Sequence, residues 1–154
     1  MSAHAVAPPR AATPFSLRSL VHAEPGYQAF MMLRLAFVVA PIAFGLDKFF
    51  NVLVNWTQYL APWINDILPG NAHDGMHIVG VIEIVAGLVV LVKPRYGAPL
   101  VAAWLFGIVV NLLSLSGYYD VALRDFGLFL AAVALARLAV RYAAGEPAPA
   151  GGAR

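Results

Sequence analysis

The sequence predicts an all-α fold, an integral membrane four-helix bundle with an amphipathic interfacial segment between the first and second spans. Three observations predict it. The chain is 61% hydrophobic and only 12% charged, with a mean hydropathy of +0.76, whereas a water-soluble domain typically carries about twice that charge. Four apolar runs, residues 30–46, 76–92, 98–115 and 121–140, approach the roughly 17 to 25 residues that cross a bilayer. The basic residues are distributed by side. With the N-terminus inside, Arg10, Arg18, Arg34, Lys93, Arg95, Arg137, Arg141 and Arg154 lie on or near the inner face, and only Lys48 and Arg124 lie outward. This asymmetry satisfies the positive-inside rule and places both termini in the cytoplasm, as an even number of spans requires. Asp47, Asp66, Asp74, Glu83, Asp120 and Asp125 then fall outward.

Residues 1–27 are rich in Ala and Pro and are expected to be disordered, or in part to lie as a short helix on the cytoplasmic membrane surface. They do not read as a cleaved signal, because the first apolar run comes late, contains Arg34 and is followed by LDKFF instead of a small-residue cleavage site. The transmembrane domain is expected over residues 28–142, with spans at about 30–47, 76–93, 98–116 and 121–141, and a disordered tail over 143–154. Pro41 falls within the first span and predicts a kink. Pro94 and Pro99 bracket a tight inner turn, with Pro99 where a first helical turn tolerates it. The outer connection, residues 49–75, is too apolar for an ordinary loop. Asn51, Asn55, Gln58, Pro62 and Asn65 recur at steps of four and three, with Trp56, Tyr59, Leu60, Trp63 and Ile64 between them. Such a segment lies in the outer interface, either as an anchor capping the helices or as a lid over a site.

Function grows out of Glu83 within GVIEIVAGL. An ionised side chain within a span costs roughly 2.5 to 3.5 kcal/mol on insertion scales, so it faces the protein interior and has a partner or a task. Counting from the outward end of each span places Asp47, Glu83, Asn111, Arg124 and Asp125 in one layer, the outer third. Small residues at spacings of three and four mark the packing faces of membrane helices. They run Ala36, Ala40, Ala43 with Asp47; Gly80 and Gly87 with Glu83; Ala103, Gly107 and Ser114 with Asn111; and Gly127, Ala131 and Ala134 with Arg124. On this phasing Asp47, Glu83, Asn111 and Arg124 converge in an outward-facing polar pocket, joined by Lys48, His77 and Asp125. The competing reading is interhelical glue, in which Arg124 pairs with Asp120 or Glu83 and no ligand is involved.

Other chemistries find little support. The chain has no cysteine, which removes disulfides, thiol redox chemistry, Cys-ligated zinc and iron–sulfur clusters. His73 and His77 are four apart, a zinc-compatible spacing, but Gly75 and the loop setting favour a polar surface. His4 and His22 sit in the N-terminal region, so facing haem ligands on separate helices are lacking. There is no serine nucleophile elbow, phosphate loop or hydrolytic carboxylate pair. A net charge of +2 without a basic–aromatic patch excludes nucleic acid as a partner.

GLDKFF closing the first span, GVIEIVAGL in the second, the aromatic outer loop and YYDVALRDFGL opening the fourth resemble the DoxX-like family of small four-helix bacterial membrane proteins. The resemblance covers about residues 30–142; YYDVALRDFGL departs from the founding members and marks a divergent branch. It implies a location in the bacterial cytoplasmic membrane, and Lys48 and Glu83 are the residues that match the family's polar signature. The family takes its name from a subunit of a thiosulfate:quinone oxidoreductase, and other members are linked to oxidative-stress complexes. The expected role is therefore an accessory subunit of a membrane redox system. It would have no intrinsic cofactor, would take a quinone or quinol headgroup in the pocket, and would have a membrane redox enzyme as partner. The alternatives are a non-catalytic assembly or scaffold protein and a small proton-coupled transporter.

Overall fold

In a computed structural model the protein is described over residues 23–143. The expectations for residues 1–22 and 144–154, His4 and His22 among them, lie outside the described residues. The described residues are helical, with no strand among them. Helix α1 runs Pro25–Phe50, a 3-10 turn occupies Trp56–Tyr59, a short α2 spans Pro62–Asn65, and three long helices follow: α3 Ala72–Val92, α4 Pro94–Leu113 and α5 Tyr119–Tyr142. α1, α3 and α4 are each long and apolar enough to cross a membrane. α5 has the length, at 24 residues, but carries Asp120, Arg124, Asp125, Arg137 and Arg141.

Local chemistry fixes the ends. Proline opens α1 and α4, where its missing N–H leaves no intrahelical bond unmade. α1 stops at Asn51, which adopts a left-handed conformation (φ 50°, ψ 43°) and donates its N–H to the Asp47 carbonyl, a conformation asparagine tolerates better than most side chains. α3 opens on a capping box: the Asn71 side chain accepts the His73 and Asp74 N–H groups, and the Asp74 carboxylate accepts that of Asn71. NAHD is thus a helix start.

The helices extend beyond the predicted spans at most ends, and the inner corner is corrected. α4 begins at Pro94, so Lys93 alone separates α3 from α4 and Pro99 lies inside the helix. A corner this sharp needs Gly97, whose missing side chain leaves room for the Val90 backbone. Within the segment 49–68, once α1 has ended at Phe50, the helical structure is confined to the 3-10 turn and α2, with Leu60 and Ala61 between them.

α1 packs chiefly on α3 and α4 on α5, and the two pairs meet through α3–α4 and α1–α5 contacts. Within each pair the helices run in opposite directions: Gly45 meets Gly80 while Val38 and Ile42 meet Gly87. Tyr119 and Ala122 of α5 share a groove with Val109 and Leu113 of α4. The interior is divided lengthwise. The half toward Lys93 holds the apolar core, with Phe30, Phe37, Val90, Val101, Leu135 and Tyr142. The half beneath the 51–71 connection holds the buried polar side chains Asp47, Lys48, Glu83, Asn111 and Asp125. Large apolar side chains cover the outside, including Leu35, Val81 and Leu123. Water would penalise so continuous an apolar surface, while hydrocarbon does not.

Burial corrects the small-residue phasing on three helices. Gly80, Glu83 and Gly87 of α3 are buried as expected, but Ala36, Ala43, Ala103, Gly107, Gly127 and Ala134 are exposed. The inward face of α1 is carried by Phe30, Phe37, Gly45, Asp47 and Lys48. On α5 it is carried by Asp125, Ala132 and Leu135. Against lipid an outward alanine has no energetic penalty, so alanine spacing does not identify the packed face.

Candidate functional site

The site begins with two glycines. A side chain on Gly45 would fall 2.6 Å from the Gly80 carbonyl oxygen, and one on Gly80 would fall 2.7 Å from that of Gly45. Only glycine at both positions allows the α1 and α3 backbones to come this close. Lys48 follows Gly45 by three residues and Glu83 follows Gly80 by three, so the close approach presents both side chains to each other. The Lys48 Nζ donates to Glu83 Oε2 at 2.6 Å, with 5% and 10% of the two side chains exposed. Isolated, either charge would be prohibitive at this depth; paired, they satisfy each other.

Aromatic groups close round the pair. The Lys48 Nζ sits 3.8 Å from the centre of the Trp56 ring, in the position for a cation–π contact. The Trp56 indole donates in turn to Asp47 Oδ2 at 2.7 Å. Asp47 also accepts the Val52 N–H at 3.0 Å and the Leu53 N–H at 3.2 Å. Asp47 therefore serves the chain reversal after α1, and its carboxylate is spent on the backbone and Trp56. The buried Trp104 indole N–H lies near the Glu83 carboxylate without forming a hydrogen bond, and Asp125 is near enough to act on its charge.

Asn111 does different work. Its Oδ1 accepts the Ala61 N–H at 2.9 Å and its Nδ2 donates to the Tyr59 carbonyl at 2.6 Å, so one side chain replaces the backbone pairing that this turn lacks. Trp63 adds a bond from its indole to Ser114 Oγ at 2.9 Å. The connection is thereby fastened across the end of α4. His77 stacks on Phe49 with ring centres 4.9 Å apart, and His73 meets it edge-on at 4.4 Å. The His77 Nε2 is buried and unpaired among the described residues. No cluster of three His, Cys, Asp or Glu side chains among the described residues is placed to hold a metal ion.

The predicted site residues thus separate. Lys48 and Glu83 are joined, with Asp125 in the same layer; Asp47 and Asn111 are at the same depth but bound to the connection; His77 sits on the outer edge. Arg124 stands beside Asp125 but does not turn inward. Its Nε pairs with Asp125 Oδ1 at 3.0 Å and its side chain is 68% exposed. Two openings in the surface lie away from these groups: an apolar groove of about 400 Å³ between α4 and α5, and a hollow of about 320 Å³ at the α3–α4 corner. Trp104 was not anticipated. Its spacing of seven from Asn111 places the two on one helical face, and that was the available signal. Comparison with protein-family models, with curated proteins and with solved structures finds no match to the chain.

Proposed function

We propose that the chain is a DoxX-like multi-pass protein of the bacterial cytoplasmic membrane, an accessory subunit of a quinone-linked redox system. In this reading α1, α3, α4 and α5 form a transmembrane four-helix bundle with both termini cytoplasmic, and the 51–71 connection rests at the outer interface. The observation that carries it is the buried Lys48–Glu83 pair with the Trp104 indole N–H beside it. Interhelical adhesion in a membrane is supplied by small residues and close backbones, which Gly45 and Gly80 already provide. A charged pair beyond that need is a candidate for exchanging protons and hydrogen bonds with a ring that gains or loses them on reduction or oxidation. Trp104 would donate to a quinone oxygen and Glu83 would accept or release its proton, with Lys48 holding the carboxylate in place.

A second reading is a non-catalytic assembly or scaffold protein, with the pair as a latch. It is favoured by the internal satisfaction of Asp47, Lys48, Glu83 and Asn111.

Purification in mild detergent, followed by solvent extraction and chromatography, distinguishes them. The redox reading expects quinone above the lipid background in the wild type, or a co-isolated oxidoreductase, and loss of that quinone in Trp104→Phe and in Lys48→Met/Glu83→Leu, which strands no charge, at unchanged yield. Wild-type protein free of both quinone and redox partner overturns it and leaves the latch.

A further inference from the structure

We infer that the hollow at the α3–α4 corner is a binding site for the headgroup of an anionic phospholipid. The hollow, about 320 Å³, lies between two unlike walls: Lys93, Arg95 and Tyr96 on one side, and Ala139, Val140 and Ala143 of α5 on the other. Arg137 lies three residues before Val140, on the same side of α5. Lys93, Arg95 and Arg137 have no ion-pair partner among the described residues. The other described cations at this end are engaged. Arg34 donates to the Leu91 carbonyl at 2.5 Å, and Arg141 pairs with Glu24 at 3.2 Å. Glu24 is the one acid among the described residues at this end, and Arg141 takes it. Among the described residues, three positive charges therefore stand uncompensated at this end.

The chemistry selects a lipid over a free anion. A phosphate would be met by Lys93 and Arg95, with the Tyr96 hydroxyl at headgroup level. The hollow continues onto the exposed apolar side chains of Val92 and Val140, a track for an acyl chain that a soluble ion would leave unused. Basic residues beside a membrane-spanning helix attract anionic headgroups through the same charge complementarity.

This inference rests on the membrane placement and is independent of the quinone reading. Full-length protein is reconstituted in phosphatidylcholine vesicles, extracted, and titrated with phosphatidylglycerol, phosphatidylcholine or inorganic phosphate while bound lipid is counted by native mass spectrometry. The expected result is retention of phosphatidylglycerol over phosphatidylcholine, weakened roughly thirtyfold in Lys93→Gln/Arg95→Gln and unchanged in Arg124→Gln, whose cation lies at the opposite end. Circular dichroism of each variant confirms that the helices persist. Equal retention of the two lipids overturns the inference, as does an equal loss in Arg124→Gln, or displacement of the lipid by millimolar phosphate. Failure to enter vesicles at all would instead overturn the membrane placement, so the two failures are distinct.

Discussion

At the scale of single residues the molecule turns on an asymmetry between making and breaking a buried ion pair. Lys48 and Glu83 are sheltered together, so removing one strands the other. Replacing both with apolar groups of similar size strands neither. Lys48→Met alone is expected to cost about 3–5 kcal/mol, measured by denaturant unfolding in detergent micelles. Lys48→Met/Glu83→Leu should recover most of that loss; a double variant as unstable as the single would show that the pair contributes more than mutual neutralisation. Residue identity also explains what could be read in advance. GVIEIVAGL identified the inward face of α3 correctly, because a membrane-embedded glutamate flanked by glycines has few other ways to be accommodated. Arg124 and Asp125 are neighbours about 100° apart on α5, and composition does not say which one turns inward. The structure buries the short carboxylate and extends the long guanidinium outward, as the reach of arginine allows.

At the scale of elements, the contact between α1 and α3 is set by how closely two backbones approach. Gly80→Ala would drive a methyl group toward the Gly45 carbonyl and the Lys48 side chain, and is expected to destabilise by about 1–3 kcal/mol. Gly107→Ala, with nothing within 4 Å of the new atom, should instead be neutral or stabilise by up to about 1 kcal/mol through helix propensity. Thermal melting of the two variants side by side checks the contrast; equal effects would mean that the Gly45–Gly80 approach is not tight. The alanine stripes misled because residue size reports packing only where another helix competes for the space. On the sides of α1, α4 and α5 that face no other helix, alanine carries no such information. The broken form of the 51–71 connection was hidden for another reason. Its turns are held by Asn111, about fifty residues away in sequence, and local periodicity cannot register so distant a partner.

At the scale of the whole molecule, the lengthwise division into an apolar half and a polar half places the two ends in different company. The number and order of the long helices and the asymmetry of charge were legible, because length, hydropathy and the positions of Lys and Arg are properties of the chain itself. The α3–α4 corner was legible only approximately, since Pro99 resembles a helix start until Pro94 takes that place. The absence of cysteine makes sidedness directly measurable. Asp66→Cys and Ser116→Cys in intact cells should react with a membrane-impermeant maleimide, and Tyr96→Cys should react only after the membrane is opened. The reverse pattern would invert the topology, and labelling of all three in intact cells would remove it.

With Lys93 as the sole residue between α3 and α4, there is too little polar chain to keep one helix waiting across a bilayer while the ribosome completes the next. The two helices should leave the insertion machinery together as a preformed hairpin, their backbone ends already satisfied at the corner. In a membrane, α1 would then thread first and the hairpin would enter as one body, with Glu83 meeting Lys48 only when that body docks.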